Sequence, residues 1–186
     1  METEEILLEA EERMENAVEA LHNAFGSVRT GRASGKVLDR IRVDYYGAMT
    51  PINQLAGVKA PDAHLLVIEP WDKSSLKSIE RAIMESDLGV TPSNDGMVIR
   101  LPFPELTEER RRELVKLCKG YAEDARVSVR NARRDANTAL SKAEKASEIT
   151  EDDLRRGEND VQKLTDKYIA KIDEAFKAKE AEVMEI

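Results

Sequence analysis

Leu101-Pro-Phe-Pro-Glu-Leu-Thr-Glu-Glu-Arg-Arg-Arg-Glu-Leu114 is the stretch on which the architecture turns. Its first residues close an alternating, strand-like segment with two prolines. From Thr107 onward the apolar residues recur at helical spacing instead. Thr107 followed by Glu108 and Glu109 reads as an N-cap with acids in the first turn, where they face the positive end of the helix dipole. No proline follows, and the pattern runs to about Ala146, roughly 60 Å at 1.5 Å per residue.

Downstream, Thr150 with Asp153 resembles a capping box. It opens a last helix to about Met184, with Leu154, Val161, Leu164, Tyr168, Ile172, Ala175 and Val183 along one face. Upstream, residues 2–29 place Ile6, Ala10, Met14, Ala17, Leu21, Ala24, Phe25 and Val28 on one helical stripe, which breaks at Thr30-Gly-Arg-Ala-Ser-Gly35. Between these helices the period changes. Val37–Tyr46 alternates as a half-buried strand, and His64–Glu69 reads as a more buried one. Asp72–Leu88 predicts a short helix with Leu76, Ile79 and Ile83 inward, ended by Gly89. Pro92–Gly96 is a turn and Met97–Leu101 a final strand. All six prolines lie between Pro51 and Pro104.

Three long amphipathic helices are not stable alone, because each needs a partner for its apolar face. The economical fold is α+β: a three-helix bundle from residues 1–30 and 105–186, with a small β/α/β domain, 31–104, inserted into it. Two chain crossings then join the domains. Thr30 and Gly31 on one, with Pro102, Pro104 and Glu105 on the other, are the expected hinge residues; a fixed joint is the alternative.

With 186 residues, 35% of them charged and only 4% aromatic, the chain has enough apolar residues for a core but few reactive ones. The single cysteine, Cys118, excludes an intrachain disulfide and a cysteine-rich zinc site. His22 and His64 are too far apart in sequence to suggest a metal centre. No apolar run approaches the ~18 residues of a membrane span, and the acidic N-terminus lacks the features of a signal peptide. A soluble protein of a reducing compartment is expected. Gly31-x-x-x-Gly35-Lys36 is one residue short of a phosphate loop, lacks the following Ser or Thr, and precedes a strand. No nucleophile, base or cofactor constellation is visible, so an enzyme is the weakest reading. Trp71 and Tyr45-Tyr46 pack in the inserted domain's core or, failing that, mark a contact face.

Charge is the main clue. The chain carries a net −8, yet residues 110–134 hold nine cations, mostly arginine, against Glu113, Glu123 and Asp124. Arg112, Lys119, Arg126 and Arg133 recur every seven residues, drifting only ~20° per step. Arg130 and Arg134 complete an arginine cluster. Leu114, Cys118, Tyr121, Ala125, Val129, Ala132 and Ala136 fall roughly 130° away and are expected to face the bundle. One helix thus presents a basic ridge opposite its core stripe, with few nearby acids to neutralise it. Guanidinium groups suit phosphate oxygens and stack on bases. An acidic protein with one basic ridge docks on a polyanion in a defined orientation. Arg29 and Arg32, flanking Gly31, add to the expected footprint. A helical adaptor that binds proteins through its acidic surface is the rival, and it would need no arginine ridge.

The blocks Arg29-Thr-Gly-Arg-Ala-Ser34, Asp44-Tyr-Tyr-Gly47, Ser86-Asp-Leu-Gly89, Leu106-Thr-Glu-Glu-Arg-Arg111, Ala125-Arg-Val-Ser-Val-Arg-Asn131, Arg133-Arg-Asp-Ala136 and Asp160-Val-Gln-Lys-Leu-Thr-Asp166 resemble the ribosome recycling factor family, in order and over nearly the whole chain. The resemblance implies an L-shaped, two-domain monomer in the cytoplasm with a flexible hinge. It implies binding to the post-termination ribosome, with the bundle against large-subunit ribosomal RNA. With elongation factor G and GTP, such a protein splits the ribosome into subunits; it has no catalytic centre, cofactor, metal or membrane association of its own. The RNA-binding residues expected from it are Arg133 and Arg130 first, then Arg126, Arg29, Arg32, Lys119, Arg112 and Arg134.

Overall fold

The computed structural model describes residues 2–185. The elements run α1 (Thr3–Gly26), β1 (Arg42–Tyr45), β2 (Ala48–Pro51), β3 (Ala56–Asp62), β4 (Leu65–Pro70), α2 (Leu76–Glu85), β5 (Ser93–Asn94), β6 (Ile99–Pro102), α3 (Glu108–Lys145) and α4 (Glu151–Met184). The chain divides into two compact units: Met1–Phe25 with Lys116–Glu180, and Gly26–Val115 with Ala181–Ile186.

The first unit is helical, built from most of α1, α3 and α4. Ile6, Ala10, Met14, Val18 and Leu21 of α1, Val129, Ala136 and Leu140 of α3, and Val161, Tyr168 and Ile172 of α4 are all buried. The α3 stripe is rich in alanine, with Ala122, Ala125, Ala132 and Ala136 inside, so its neighbours pack close to its backbone. Gly157 on α4 marks the tightest approach: a Cβ there would lie 2.9 Å from Leu140 Cδ2. The Tyr168 hydroxyl lies 3.0 Å from Glu15 and 3.1 Å from Glu11 on α1. Burial first, then these two carboxylates, raises the phenol well above its usual range.

The expected helix boundaries follow from caps that the structure contains. Thr107 Oγ1 accepts the Arg110 amide at 3.1 Å. Asp153 N donates to Thr150 Oγ1 and Thr150 N to Asp153 Oδ2, both at 3.1 Å, which is a complete capping box. Beyond the last residue of α3, Lys145, Ser147 turns into the left-handed region at φ 60°, and Glu148 N donates to Ala143 O.

The second unit carries the strands. β1 and β2 form a hairpin whose two-residue turn is Tyr46-Gly47, at φ 51° and 84°. This pair of positive angles suits the twist of a tight hairpin. A four-stranded antiparallel sheet runs β3-β4-β6-β5, and α2 turns Leu76, Ile79 and Ile83 into the core shared with Leu66, Ile68, Ile99 and Leu101. Asp72 starts this helical stretch. Its Oδ1 accepts Ser74 N and its Oδ2 accepts the Tyr45 hydroxyl.

Several expectations need correction here. The strand anticipated from Val37 begins only at Arg42, because Ser34 caps a 3-10 turn over Gly35–Leu38 that buries the adjacent Val37 and Leu38 together. β2, β3 and β5 have no counterpart in the sequence reading. Trp71 is 69% and Tyr46 83% exposed, so neither belongs to the core; Tyr45 alone packs against it.

The two connecting segments both dock on the β3–β4 corner. Ala33 N donates to Ala63 O and Phe103 N to His64 O, each at 2.6 Å. Pro102 closes β6 opposite Leu65. The segments left between the strands and the long helices are therefore Thr30–Arg32 and Pro104–Thr107. Arg29 lies across them: its guanidinium donates to Pro104 O and stacks over the Phe103 ring at 5.3 Å.

Candidate nucleic-acid interface

Helix α3 positions every cation of the expected ridge except Arg29 and Arg32. The geometry sorts them into two kinds. Ala122 and Leu140 are buried while Tyr121 is only half-buried. The core stripe is therefore rotated toward the arginines, and the ridge flanks the core instead of opposing it. Two of its members consequently reach α4. Arg126 Nη2 lies 2.8 Å and Nε 3.0 Å from Asp173 Oδ1, and Nη1 3.3 Å from Glu123. Its side chain is only 22% exposed. Burial acts to lower its pKa, and the bonds to Asp173 and Glu123 more than reverse that, so the net shift is upward. Arg126 is a clamp between α3 and α4, a correction to its expected place on an open ridge. Arg133 Nη1 donates to Gln162 Oε1 on α4 at 3.0 Å, a neutral partner that leaves its charge uncompensated.

The acids also do more than their number suggested. Glu123 takes Arg130 at 3.2 Å as well as Arg126. Arg112 pairs with Glu108 at 2.7 Å and Arg110 with Glu113 at 2.8 Å. These pairs are exposed, so each is worth little and is easily exchanged for a stronger anion. Lys119 and Arg134 are exposed on the same helix.

Arg29 is engaged within the second unit. It was expected to extend the footprint, but its fork is engaged with Pro104 and Phe103 inside the second unit. Burial, then the nearby Arg110 charge, lowers its pKa. Its Nε is buried with no partner among the described residues. Arg32 is exposed, and its amide donates to Thr30 Oγ1.

A shallow groove lies along the C-terminal half of α3. Its cations are Arg130, Arg133, Arg134, Lys142 and Lys145, and the rest of its lining is Asn137, Thr138 and Ser141. No carboxylate lines it. Asn137 Oδ1 is buried and has no hydrogen-bond partner among the described residues. Sequence reasoning stopped at Arg134 and missed the last five of these eight. Their signal was present as i,i+3 and i,i+4 continuation along one face, but Lys142 and Lys145 look like ordinary complements to the helix dipole. The groove offers five cations, two hydroxyls and an amide. That set suits a phosphodiester backbone bearing hydroxyl groups better than a catalytic task. Among the described residues, no group of three or more His, Cys, Asp or Glu could hold a metal, and no helix is long and apolar enough to cross a membrane.

Residues 21–184 match the family model "Ribosome recycling factor". The ribosome-recycling factor of Oleidesulfovibrio alaskensis is 58% identical over 181 residues, 97% of this chain and 98% of that one. The ribosome-recycling factor of Bacillus thuringiensis is 59% identical over 183 residues, 98% and 99% of the two chains. A solution structure of a ribosome recycling factor superposes with a TM-score of 0.78 at 44% identity, covering 100% of this chain and 99% of that one. The Thermus thermophilus ribosome recycling factor, placed with Escherichia coli elongation factor G on the post-termination complex, matches with a TM-score of 0.67 at 43% identity over 99% of this chain and 100% of that one. A helical unit with a small antiparallel sheet domain is the fold this chain shares with those proteins along nearly its full length, and with the family match over residues 21–184 it follows that the chain belongs to the ribosome recycling factor family.

Proposed function

We propose that this protein recycles ribosomes after termination. It binds the post-termination ribosome through the basic face of α3 on large-subunit ribosomal RNA. With elongation factor G and GTP it promotes splitting into subunits. The observation that carries the docking step is the α3 groove, where five cations converge with no carboxylate in the lining. Arg133, Arg130 and Arg134 are its first contacts, with Lys119 alongside; Arg126 supports them by holding α3 to α4. Arg112 is a secondary contact released from Glu108 on docking.

The protein contributes binding and leverage and is not an enzyme; GTP is hydrolysed by the partner factor. It works as a monomer in the cytoplasm, with domains 1–30 plus 105–186 and 31–104. Thr30, Gly31, Pro104 and Glu105 form the pivot, Pro102 ends the sheet beside it, and Arg29 holds the two connecting segments together. Movement of the small domain against an RNA-anchored bundle turns the partner's conformational step into loss of intersubunit contacts. The exposed Trp71 and Tyr46 are the apolar surface the small domain offers to a protein partner.

Light scattering of post-termination ribosomes mixed with this protein, elongation factor G and GTP tests the reading. A drop that requires all three components, and is lost with Arg133→Glu, is expected. No drop with a proven-active, matched elongation factor G overturns recycling in favour of a protein-binding adaptor.

A further inference from the structure

The block Asp160-Val-Gln-Lys-Leu-Thr-Asp166 lies on α4, and two of its side chains form a hydrogen-bonded relay that ends on the arginine cluster of α3. Gln162 Oε1 accepts Arg133 Nη1 at 3.0 Å. Gln162 Nε2 donates to Asp166 Oδ1 at 2.9 Å. The two bonds use opposite ends of one amide. A donor faces its oxygen and an acceptor faces its nitrogen, so the flipped amide would satisfy neither neighbour. Gln162 and Asp166 stand four residues apart, on one face of α4. Val161 and Thr165, which precede them, are buried. The relay is therefore seated at the edge of the helix packing, with its own side chains exposed.

Other arginines of α3 are held by acids. Arg112 meets Glu108, Arg126 meets Asp173 and Glu123, and Arg130 meets Glu123. Arg133 instead meets an amide. A glutamate at position 162 would span the same distance and bind the guanidinium more strongly. It would also stand four residues from Asp166, like charge beside like charge. Asp166 thus favours an amide at 162, and that amide keeps the carboxylate one side chain away from Arg133. The outcome is an arginine whose Nη1 is fixed and whose charge is not neutralised. Both properties suit anion binding. A side chain already held in place loses less rotamer freedom on contact, and an unpaired charge adds to counterion release from a phosphate backbone.

We infer that Gln162, itself held by Asp166, is a positioning residue for RNA binding: it fixes Arg133 for contact with phosphate without spending its charge. The inference rests on the RNA-docking reading of α3. Gln162 acts through Arg133. The competing role is a plain tie between α3 and α4, as Arg126 makes with Asp173. A tie contributes to stability and leaves the affinity for RNA unchanged.

The test uses purified bacterial large ribosomal subunits as the probe. Binding of the full-length protein is measured at several salt concentrations for Gln162→Met, Gln162→Glu, Arg133→Ala and the double variant Gln162→Met with Arg133→Ala. A thermal melt accompanies each. All are expected to melt close to the wild-type temperature, because the substituted side chains are exposed. Gln162→Met is expected to bind several-fold more weakly with an unchanged salt slope, since the charge remains and only its placement is lost. Gln162→Glu is expected to lower the slope of log affinity against log salt by about one, as Arg133→Ala does. In the Arg133→Ala background, Gln162→Met is expected to change binding no further, which is the non-additivity of residues acting as a unit. Wild-type affinity in Gln162→Met or Gln162→Glu, with loss in Arg133→Ala, overturns this inference and leaves the docking reading standing. Wild-type affinity in Arg133→Ala overturns both. A further loss in the double variant means that Gln162 touches RNA itself, and a loss that follows a fall in melting temperature means a tie; either overturns the positioning role.

Discussion

At the residue scale, the arginines of α3 show that charge in sequence is not charge at a surface. Arg126 and Arg133 stand seven residues apart on one ridge, yet one is spent on Asp173 and the other faces neutral Gln162. Their variants should therefore part company. Arg133→Ala should lower the slope of log affinity against log salt for ribosomes by about one, with little change in melting temperature. Arg126→Ala should cost about 1 kcal/mol of stability, since Asp173 is itself half exposed and solvent screens the pair, with a smaller change in salt slope. A double-mutant cycle with Asp173→Ala in urea unfolding measures the coupling. A second residue-scale effect concerns acid. The Asp95 carboxylate accepts the amides of Val98 and Met97 and pairs with Arg100; these hold its pKa down to about 2. A folded-state value below the unfolded ~3.9 contributes stability that is complete above that value and is lost as pH falls toward about 2. Asp95→Asn should flatten the pH dependence of unfolding between pH 4 and 2 and leave the pH 4 to 7 range unchanged in slope.

At the element scale, the long helices pack large apolar side chains such as Met14, Leu140, Tyr168 and Ile172 together with small ones, and caps fix their ends. The alanines of α3 and Gly157 of α4 let backbones approach, and the charged faces keep the helices solvated. Gly157→Ala sets two effects against each other. Helix propensity favours alanine by about 1 kcal/mol, while overpacking against the fully buried Leu140 costs about 1–3 kcal/mol. The variant should be destabilised overall, with a melting temperature a few degrees below wild type. A rise instead would mean that Leu140 repacks freely and that the close α3–α4 approach is not a constraint.

At the scale of the whole molecule, the informative region is the pair of connecting segments. Ala33 and Phe103 are each bonded to the β3–β4 corner, and Arg29 ties Pro104 back to the incoming segment. Thr30–Arg32 and Pro104–Thr107 lie beside these anchors and are where the proposed pivot is to be tested. Gly31 has open space around it, so a larger residue fits sterically and only backbone freedom is removed. Gly31→Pro should bind ribosomes with nearly wild-type affinity and slow subunit splitting in stopped-flow light scattering. An equal loss of binding and splitting would count against a pivot here.

The sequence by itself determined the long helices, their caps and the α+β insertion. These rest on local signals: a 3.6-residue period sustained for tens of residues, Thr107 and Thr150 placed before acids, and prolines confined to one segment. It also located the arginine cluster, because a charge window needs no knowledge of neighbours. Only the tertiary structure decided which arginines are open. Whether Arg126 meets Asp173, or Arg29 meets Pro104, depends on residues 47 and 75 positions away in the chain, and no local pattern encodes such a meeting. The short strands β2, β3 and β5 were hidden for the same reason. Their pairing is supplied by partner strands, with only weak alternation of their own, and Trp71 and Tyr46 look like core residues until the sheet leaves them outside. Periodicity is written along the chain, whereas charge pairing and exposure are settled across it.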